Sequence, residues 1–190
     1  GFSWPLGTRP VQRALQVLAG SMLVLVATHV FVPRQAVTFG VLFFLGSAML
    51  LLTLLERQLS RVRAGWGVAV SGALFGITRN INDGYLGFEQ WNLLKLPEQL
   101  YLNKLTTYVG FTEAGFASSD YFSLLPWFFL YLAGYYSWRC CAAQGVLPKI
   151  FSWGSRCLSL CGRRSLLVYL LHQPVLYLLL TLFWHGKSLF

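Results

Sequence analysis

The sequence predicts an all-α fold: a polytopic transmembrane helix bundle of about five spans, with its N-terminus inside and its C-terminus outside. Three observations carry this. Of 190 residues, 56% are hydrophobic, 16% aromatic and only 11% charged, with a mean hydropathy of +0.57. A soluble domain carries about a quarter charged residues, and a solvated coil could not tolerate so much apolar surface. Second, five windows hold no Asp, Glu, Lys or Arg: Ala14–Val32, Val37–Leu55, Ala64–Thr78, Tyr121–Trp138 and Ser165–Trp184. A crossing helix needs about 20 predominantly apolar residues, range about 17–25, and four windows reach that length. The third does so only with its polar flanks.

Third, the basic residues favour alternate loops. Arg9 and Arg13 precede the first window, Arg57, Arg61 and Arg63 follow the second, and Arg139, Lys149, Arg156, Arg163 and Arg164 follow the fourth. The intervening connections hold Arg34, then a long loop over 79–120 in which Asp83, Glu89, Glu98, Glu113 and Asp120 outnumber the bases, then Lys187. Cytoplasmic loops carry the excess of Lys and Arg. The net charge of +9 is therefore a topology signal and not a nucleic-acid footprint. The chain reads as one transmembrane domain over 1–190, with an outer loop at 79–120 and an inner amphipathic connector at 139–164.

The first helix follows Pro10 and stops before Pro33, with His29 one turn from its outer end as a packing residue or a ligand. The second contains TFGVLFFLGSAML at 38–50, where Gly40 and Gly46 permit close helix approach. The third carries Gly65, Gly67, Gly72 and Gly76, which places it in the bundle interior and not at a nucleotide. In the outer loop, aromatic residues from Tyr85 to Phe116 form an interfacial belt or a lid over an outward cavity. Pro97 opens a short helix on which Leu100, Tyr101 and Leu105 share a face.

The inner connector, basic and broken by Gly and Pro, meets anionic lipid. Cys140, Cys141, Cys157 and Cys161 lie there, in a reducing compartment and without zinc-ligand spacing, so no metal is expected. No signal-peptide pattern precedes the first helix.

Two clusters carry candidate chemistry. SSDYFSLLPW at 118–127 places Asp120 just outside the fourth helix, as its N-cap or as a carboxylate at the mouth of a site. GRRSLLVYLLHQPVL at 162–176 puts His172 near mid-membrane, followed by Gln173 and Pro174. An ionisable group at that depth faces a wet cavity or a polar partner, and proline there frees a carbonyl one turn back. Imidazole is the usual general base near neutral pH.

These two clusters, in this order, resemble the bacterial branch of the heparan-alpha-glucosaminide N-acetyltransferase catalytic-domain family. That branch has Ser-Asp-Tyr-Phe-Pro-Leu-Leu-Pro-Trp opening one helix and Gly-Arg-His/Asn-Ser-Leu…Tyr-Leu-Leu-His-Gln-Pro in the last. FGVLFFLGSAML, GYLGF at 84–88 and YVGF at 108–111 are similar to it as well, so the likeness runs from about Val37 to Leu182. Ser123 departs from the family's proline, and Arg164 from its His or Asn. Family members also begin with a further helix bearing an Arg-Gly start and an intramembrane histidine associated with acetyl transfer. His29 lacks that context, so the role is not carried over, and a start at Gly1 reads as an N-terminally truncated member.

The resemblance implies a membrane acyltransferase that moves an acetyl group from acetyl-CoA to a cell-envelope sugar or glycolipid in the bacterial cytoplasmic membrane. It makes His172 the catalytic candidate of this stretch, lining the site with Asp120, Tyr121, Trp127 and Gln173 toward the acceptor, while the transfer itself would fall to the histidine of the missing N-terminal helix. Arg163 and Arg164, with Arg156, are toward the CoA phosphates. The expected partners are the bilayer, acyl-CoA and the acceptor, in a monomer or a homo-oligomer. The alternative is a non-catalytic transporter-like or structural protein on the same scaffold, although a transporter would show two related halves. An O-acyltransferase would differ only in its acceptor.

Overall fold

The computed structural model describes residues 1–31, 37–146, 162 and 165–187. They are mostly helical: α1 (Pro10–Phe31), α2 (Val41–Leu59), α3 (Ala64–Thr78), α4 (Lys104–Val109), α5 (Trp127–Ala143) and α6 (Ser165–Lys187). Between α3 and α4 lies an antiparallel pair, β1 (Tyr85–Phe88) and β2 (Trp91–Lys95). The chain divides into two units, Gly1–Leu147 and Pro148–Phe190, and α6 is the described part of the second. Two helices are long and apolar enough to cross a membrane, over Pro10–Val30 and Val41–Leu59. The helices α3 and α5 are shorter, at 15 and 17 residues.

In the first unit α1 packs on α2 and α3 packs on α5. The core lies between α2 and α5. On α5 the buried residues Phe128, Tyr131, Leu132, Tyr135 and Tyr136 recur at the helical period, and they meet Phe44, Ala48 and Leu52 of α2. Two glycines permit the close approaches. A Cβ at Gly46 would stand 2.6 Å from Leu18 Cγ of α1, and one at Gly67 would stand 2.3 Å from the Tyr136 ring. Outward faces stay apolar and uncovered, with Leu23 at 61% and Trp66 at 66% exposure. Lipid, unlike water, tolerates such a surface.

Each end of α2 is held by a charged residue from much later in the chain. At its start the Asp120 carboxylate accepts the Val41 N–H at 3.3 Å. At its end Arg139 donates to the carbonyls of Leu59 and Val62 at 3.1 Å and of Ser60 at 2.8 Å. The Tyr136 hydroxyl also donates to Leu59, at 3.1 Å. The last carbonyls of a helix have no partner of their own, so a guanidinium fork there satisfies them and complements the helix dipole.

Four expectations change. The fold is not purely helical, because 85–95 forms a hairpin. Asn80, buried beneath it, donates to Glu89 O at 2.7 Å and Asn92 Oδ1 at 3.0 Å, and at Gly87 any Cβ would collide with Trp91 O at 1.9 Å. The fourth long helix begins at Trp127 and not at Tyr121, because the backbone of Phe122, Leu124 and Leu125 is bonded to the α1–α2 connection and to α4. Within the first unit the glycine-rich α3 is not interior: it buries only Gly67 and Ser71, and Gly65, Gly72 and Gly76 have nothing within 4 Å among the described residues. Finally, Leu100, Tyr101 and Leu105 share no face. A 3-10 turn ends at Tyr101 before α4 starts, so Tyr101 donates inward to Ile81 O at 2.6 Å while Leu105 is exposed.

Candidate functional site

The segment 118–127 is the hub of the first unit's loop end. Ser118 exchanges hydrogen bonds with Thr38, its hydroxyl accepting from the amide and donating to the carbonyl, both at 2.9 Å. Phe122 N–H donates to Phe39 O at 2.9 Å, Leu124 N–H to Tyr108 O at 2.9 Å and Leu125 N–H to Val109 O at 2.8 Å. One short stretch thus ties the α1–α2 connection to α4. Gly40 is required where they meet, since a Cβ there would lie 3.0 Å from Asp120 Oδ2.

Asp120 therefore does not cap the helix that follows it. α5 starts after Pro126 without a side-chain cap, and the carboxylate serves α2 instead. Tyr121 points the other way. Its hydroxyl donates to the buried Thr107 carbonyl and accepts from the Thr112 hydroxyl at 3.4 Å. Burial pushes the Tyr121 hydroxyl above its usual range, so it stays a neutral donor, and burial raises the Tyr108 hydroxyl likewise.

Aromatic rings surround this segment in two strings. On one side Tyr121 meets Phe116 at 5.2 Å, Phe116 meets Phe39 at 6.3 Å, and Phe39 meets Tyr108 at 5.2 Å. Phe39 holds this place at φ 56°, a left-handed conformation that bulky residues rarely adopt. On the other side Phe122 packs at 4.9 Å on Trp127, which also meets Phe75 at 5.8 Å. The Arg79 guanidinium lies over the Trp127 ring, 5.2 Å from its centroid. Arg79 was not among the residues singled out from sequence. The signal available was a lone base at the end of α3, facing an aromatic-rich loop.

Asp120, Tyr121 and Trp127 are thus brought onto one segment, with two hydrogen-bonded inward and the third under a cation. Ser123 is fully buried and its hydroxyl donates to Leu125 O at 2.5 Å. That bond fixes the bend before α5.

His172 lies on α6, in the second unit, at the eighth position of that helix. Its Nδ1 bonds the Tyr169 carbonyl one turn back, and the two rings lie 5.1 Å apart. A carbonyl only accepts, so in this contact Nδ1 is the donor nitrogen. Two residues on, Pro174 has no N–H to offer the Leu170 carbonyl. The side chain of Gln173 falls outside the described residues, as do Arg156, Arg163, Arg164, Cys157 and Cys161. Cys140 and Cys141 are free thiols near the end of α5, and among the described residues no three His, Cys, Asp or Glu converge on a metal position.

Residues 1–174 match the family model described as heparan-alpha-glucosaminide N-acetyltransferase, catalytic. The match includes α1, which the motif resemblance had left out. Neither a curated protein nor a solved structure matches the chain.

Proposed function

The chain belongs to the heparan-alpha-glucosaminide N-acetyltransferase catalytic family, a family of membrane acetyltransferases, and from that premise we propose that it is a multi-pass enzyme transferring acetyl from acetyl-CoA to a cell-envelope sugar or glycolipid. In this reading α1, α2, α3, α5 and α6 cross a bacterial cytoplasmic membrane. The basic ends of α2 and α5 face the cytoplasm. The loop between α3 and α5, aromatic and acidic, faces the acceptor.

The observation that carries the chemistry is His172 itself, an ionisable ring within the apolar helix α6 with its Nδ1 on the Tyr169 carbonyl. That leaves Nε2 as the nitrogen we assign to general-base work. The acceptor amine attacks the thioester carbonyl, a C–N bond forms and the C–S bond breaks. The proton leaving nitrogen passes to His172 Nε2 and then to the departing thiolate. Asp120, Tyr121, Trp127 and Gln173 would stand on the acceptor side. Arg163 and Arg164, immediately before α6, would meet the CoA phosphates. An O-acyl product differs only in the attacking atom.

The test is transfer of labelled acetyl by the purified full-length protein to glucosamine-type acceptors. General-base catalysis is worth about 10²–10⁴-fold, so His172→Ala should lower the rate by at least about 100-fold. A wild-type rate in that variant removes His172 from the mechanism, and absence of any CoA release with any sugar acceptor sinks the acetyltransferase reading.

A further inference from the structure

The loop between α3 and α5 carries large apolar side chains that nothing in the first unit covers. Every residue of β2 is exposed, so both sides of that strand are open. Trp91 is 79% exposed, and Leu93, Leu94 and its cross-strand partner Phe88 are exposed beside it. Leu102 and Leu105, further along the loop, are nearly as open as Trp91. An exposed apolar cluster of this kind marks an interaction surface.

Hydrogen bonds fix its depth. Asn80 lies two residues past the end of α3. Its N–H donates to Gly87 O at 3.2 Å, its carbonyl accepts from the Tyr85 N–H at 3.3 Å, and its side chain donates to Glu89 O at 2.7 Å. The hairpin is thus tied at its base and at its turn to the end of one helix, and lies across that end. Tyr101 donates to Ile81 O at 2.6 Å, which keeps Leu102 close to the same level.

The length of α3 says what meets this surface. Its 15 residues reach about 22 Å, against about 30 Å of hydrocarbon in a bilayer. For α3 to cross, apolar surface must continue past its end, and the hairpin supplies it there. Tryptophan gathers at that boundary, where one part of the ring system meets acyl chains and its N–H meets headgroups. The polar groups limit the depth: Glu89 and Gln90 form the turn, and Lys95 pairs with Glu98 at 3.1 Å beyond the other end. Among the described residues the backbone of β2 bonds only to β1, and hydrocarbon does not tolerate an open strand edge. Water and headgroups can serve that edge. A folded partner would cover one side of the strand and leave the other bare, whereas a bilayer boundary takes both.

We propose that the hairpin 85–95, with Leu102 and Leu105, seats in the headgroup boundary of the phospholipid leaflet at the C-terminal end of α3. Trp91, Leu93 and Leu94 reach the upper part of the acyl chains, and the turn stays in water. Because Arg79 directly precedes Asn80, the same anchor sets the depth of the Arg79–Trp127 stack. The proposal rests on α3 crossing the membrane, as the proposed function has it.

The test is tryptophan fluorescence of the full-length protein in phosphatidylcholine vesicles whose chains carry bromine either beside the headgroup or near the chain end. Trp91 is one of seven tryptophans, so its emission is the difference between wild type and Trp91→Phe. Bromine beside the headgroup should quench most of that difference, and bromine near the chain end should leave most of it. Leu94→Trp and Leu105→Trp each add one ring to the wild-type protein, and the added emission should show the same depth. Thermal melting confirms folding, and either addition serves if Trp91→Phe does not fold. Emission quenched by neither lipid, or quenched more from the chain end, overturns the site. Emission that bromine does not reach but that shifts with the protein-to-lipid ratio assigns the surface to a second copy and overturns it as well. Release of the protein from membranes by alkaline carbonate overturns the spanning reading instead. Retention in the membrane with Trp91 unquenched overturns this proposal alone.

Discussion

Asp120 and Arg139 hold opposite ends of α2, the carboxylate on the Val41 N–H and the guanidinium on the carbonyls of Leu59, Ser60 and Val62. An acid at a helix start and a base at its end both complement the dipole. Because α5 runs between these two residues, the pair fixes α5 against α2 lengthwise, while Phe44, Leu52, Tyr131 and Tyr135 pack between them. The aromatic segment at 118–127 is positioned by the same arrangement.

Removing the fork at the end of α2 should therefore be costly. Charge-assisted hydrogen bonds are worth about 1.5–3 kcal/mol, so Arg139→Ala should destabilise the protein by about 2 kcal/mol. Arg139→Lys should recover only part of this, because an ammonium cannot span three carbonyls as a planar fork does. Denaturation in detergent measures both, and equal stability of lysine and arginine would remove the fork from the account.

At the other end of α2, the two roles of Asp120 separate by substitution. Asparagine is as good an N-cap acceptor as aspartate, and alanine costs about 1 kcal/mol at such a position. Asp120→Ala should lower the melting temperature and Asp120→Asn should largely restore it. Acetyl transfer in the folded Asp120→Asn protein then reports on the charge alone. A wild-type rate there assigns Asp120 to the helix end only.

The glycines of the helices should divide sharply. Gly46→Ala and Gly67→Ala force a methyl into Leu18 and into the Tyr136 ring, and overpacking of this kind costs about 1–3 kcal/mol. Gly72→Ala meets nothing within 4 Å and replaces a poor helix former, so it should be neutral or stabilising. Melting temperatures of the three single variants decide this, and a loss in Gly72→Ala comparable to the other two would contradict it.

Alkaline pH should loosen the loop between α3 and α5. Burial raises the Tyr121 and Tyr108 hydroxyls above their unfolded value of about 10. The native state therefore keeps its protons where the unfolded chain has lost them. The stability tied to these hydroxyls is complete below about pH 10 and falls as pH rises through the higher native values. Melting temperature followed from pH 9 to 11 should decline above 10, less steeply in Tyr121→Phe. An identical decline in that variant would remove Tyr121 as a contributor.

The sequence showed those features that one helix or one run of residues determines alone. The limits of α3, Ala64–Thr78, coincide with its charge-free window, because Arg63 and Arg79 bound a helix too short to shift. The start of α5 was misplaced because Tyr121–Leu125 is as apolar as the helix beyond it. Only the distant carbonyls of Phe39, Tyr108 and Val109 show that its backbone is already engaged. The hairpin lacks an Asn-Gly or Asp-Gly turn, and its organiser is Asn80, outside both strands. Composition could not reveal that Asp120 serves α2 and not α5, since 79 residues separate it from Val41. His172 stood out for the opposite reason: one ionisable ring in a long apolar run is visible without any partner.

That separation sets an order of events during synthesis. α1 and α2 are complete as soon as Leu59 has been made, and they pack on each other through Gly46 without help from later residues. The groups that finish the ends of α2 come 79 residues after Val41 and 79 residues after Ser60. At about 5–20 residues per second, the nascent pair waits several seconds with its end amides and carbonyls served by solvent or headgroups. Its α2 is tied to α5 only when residue 139 emerges. A ribosome stalled before that point would leave a two-helix hairpin with the end of α2 unfinished, the form a quality-control protease would meet first.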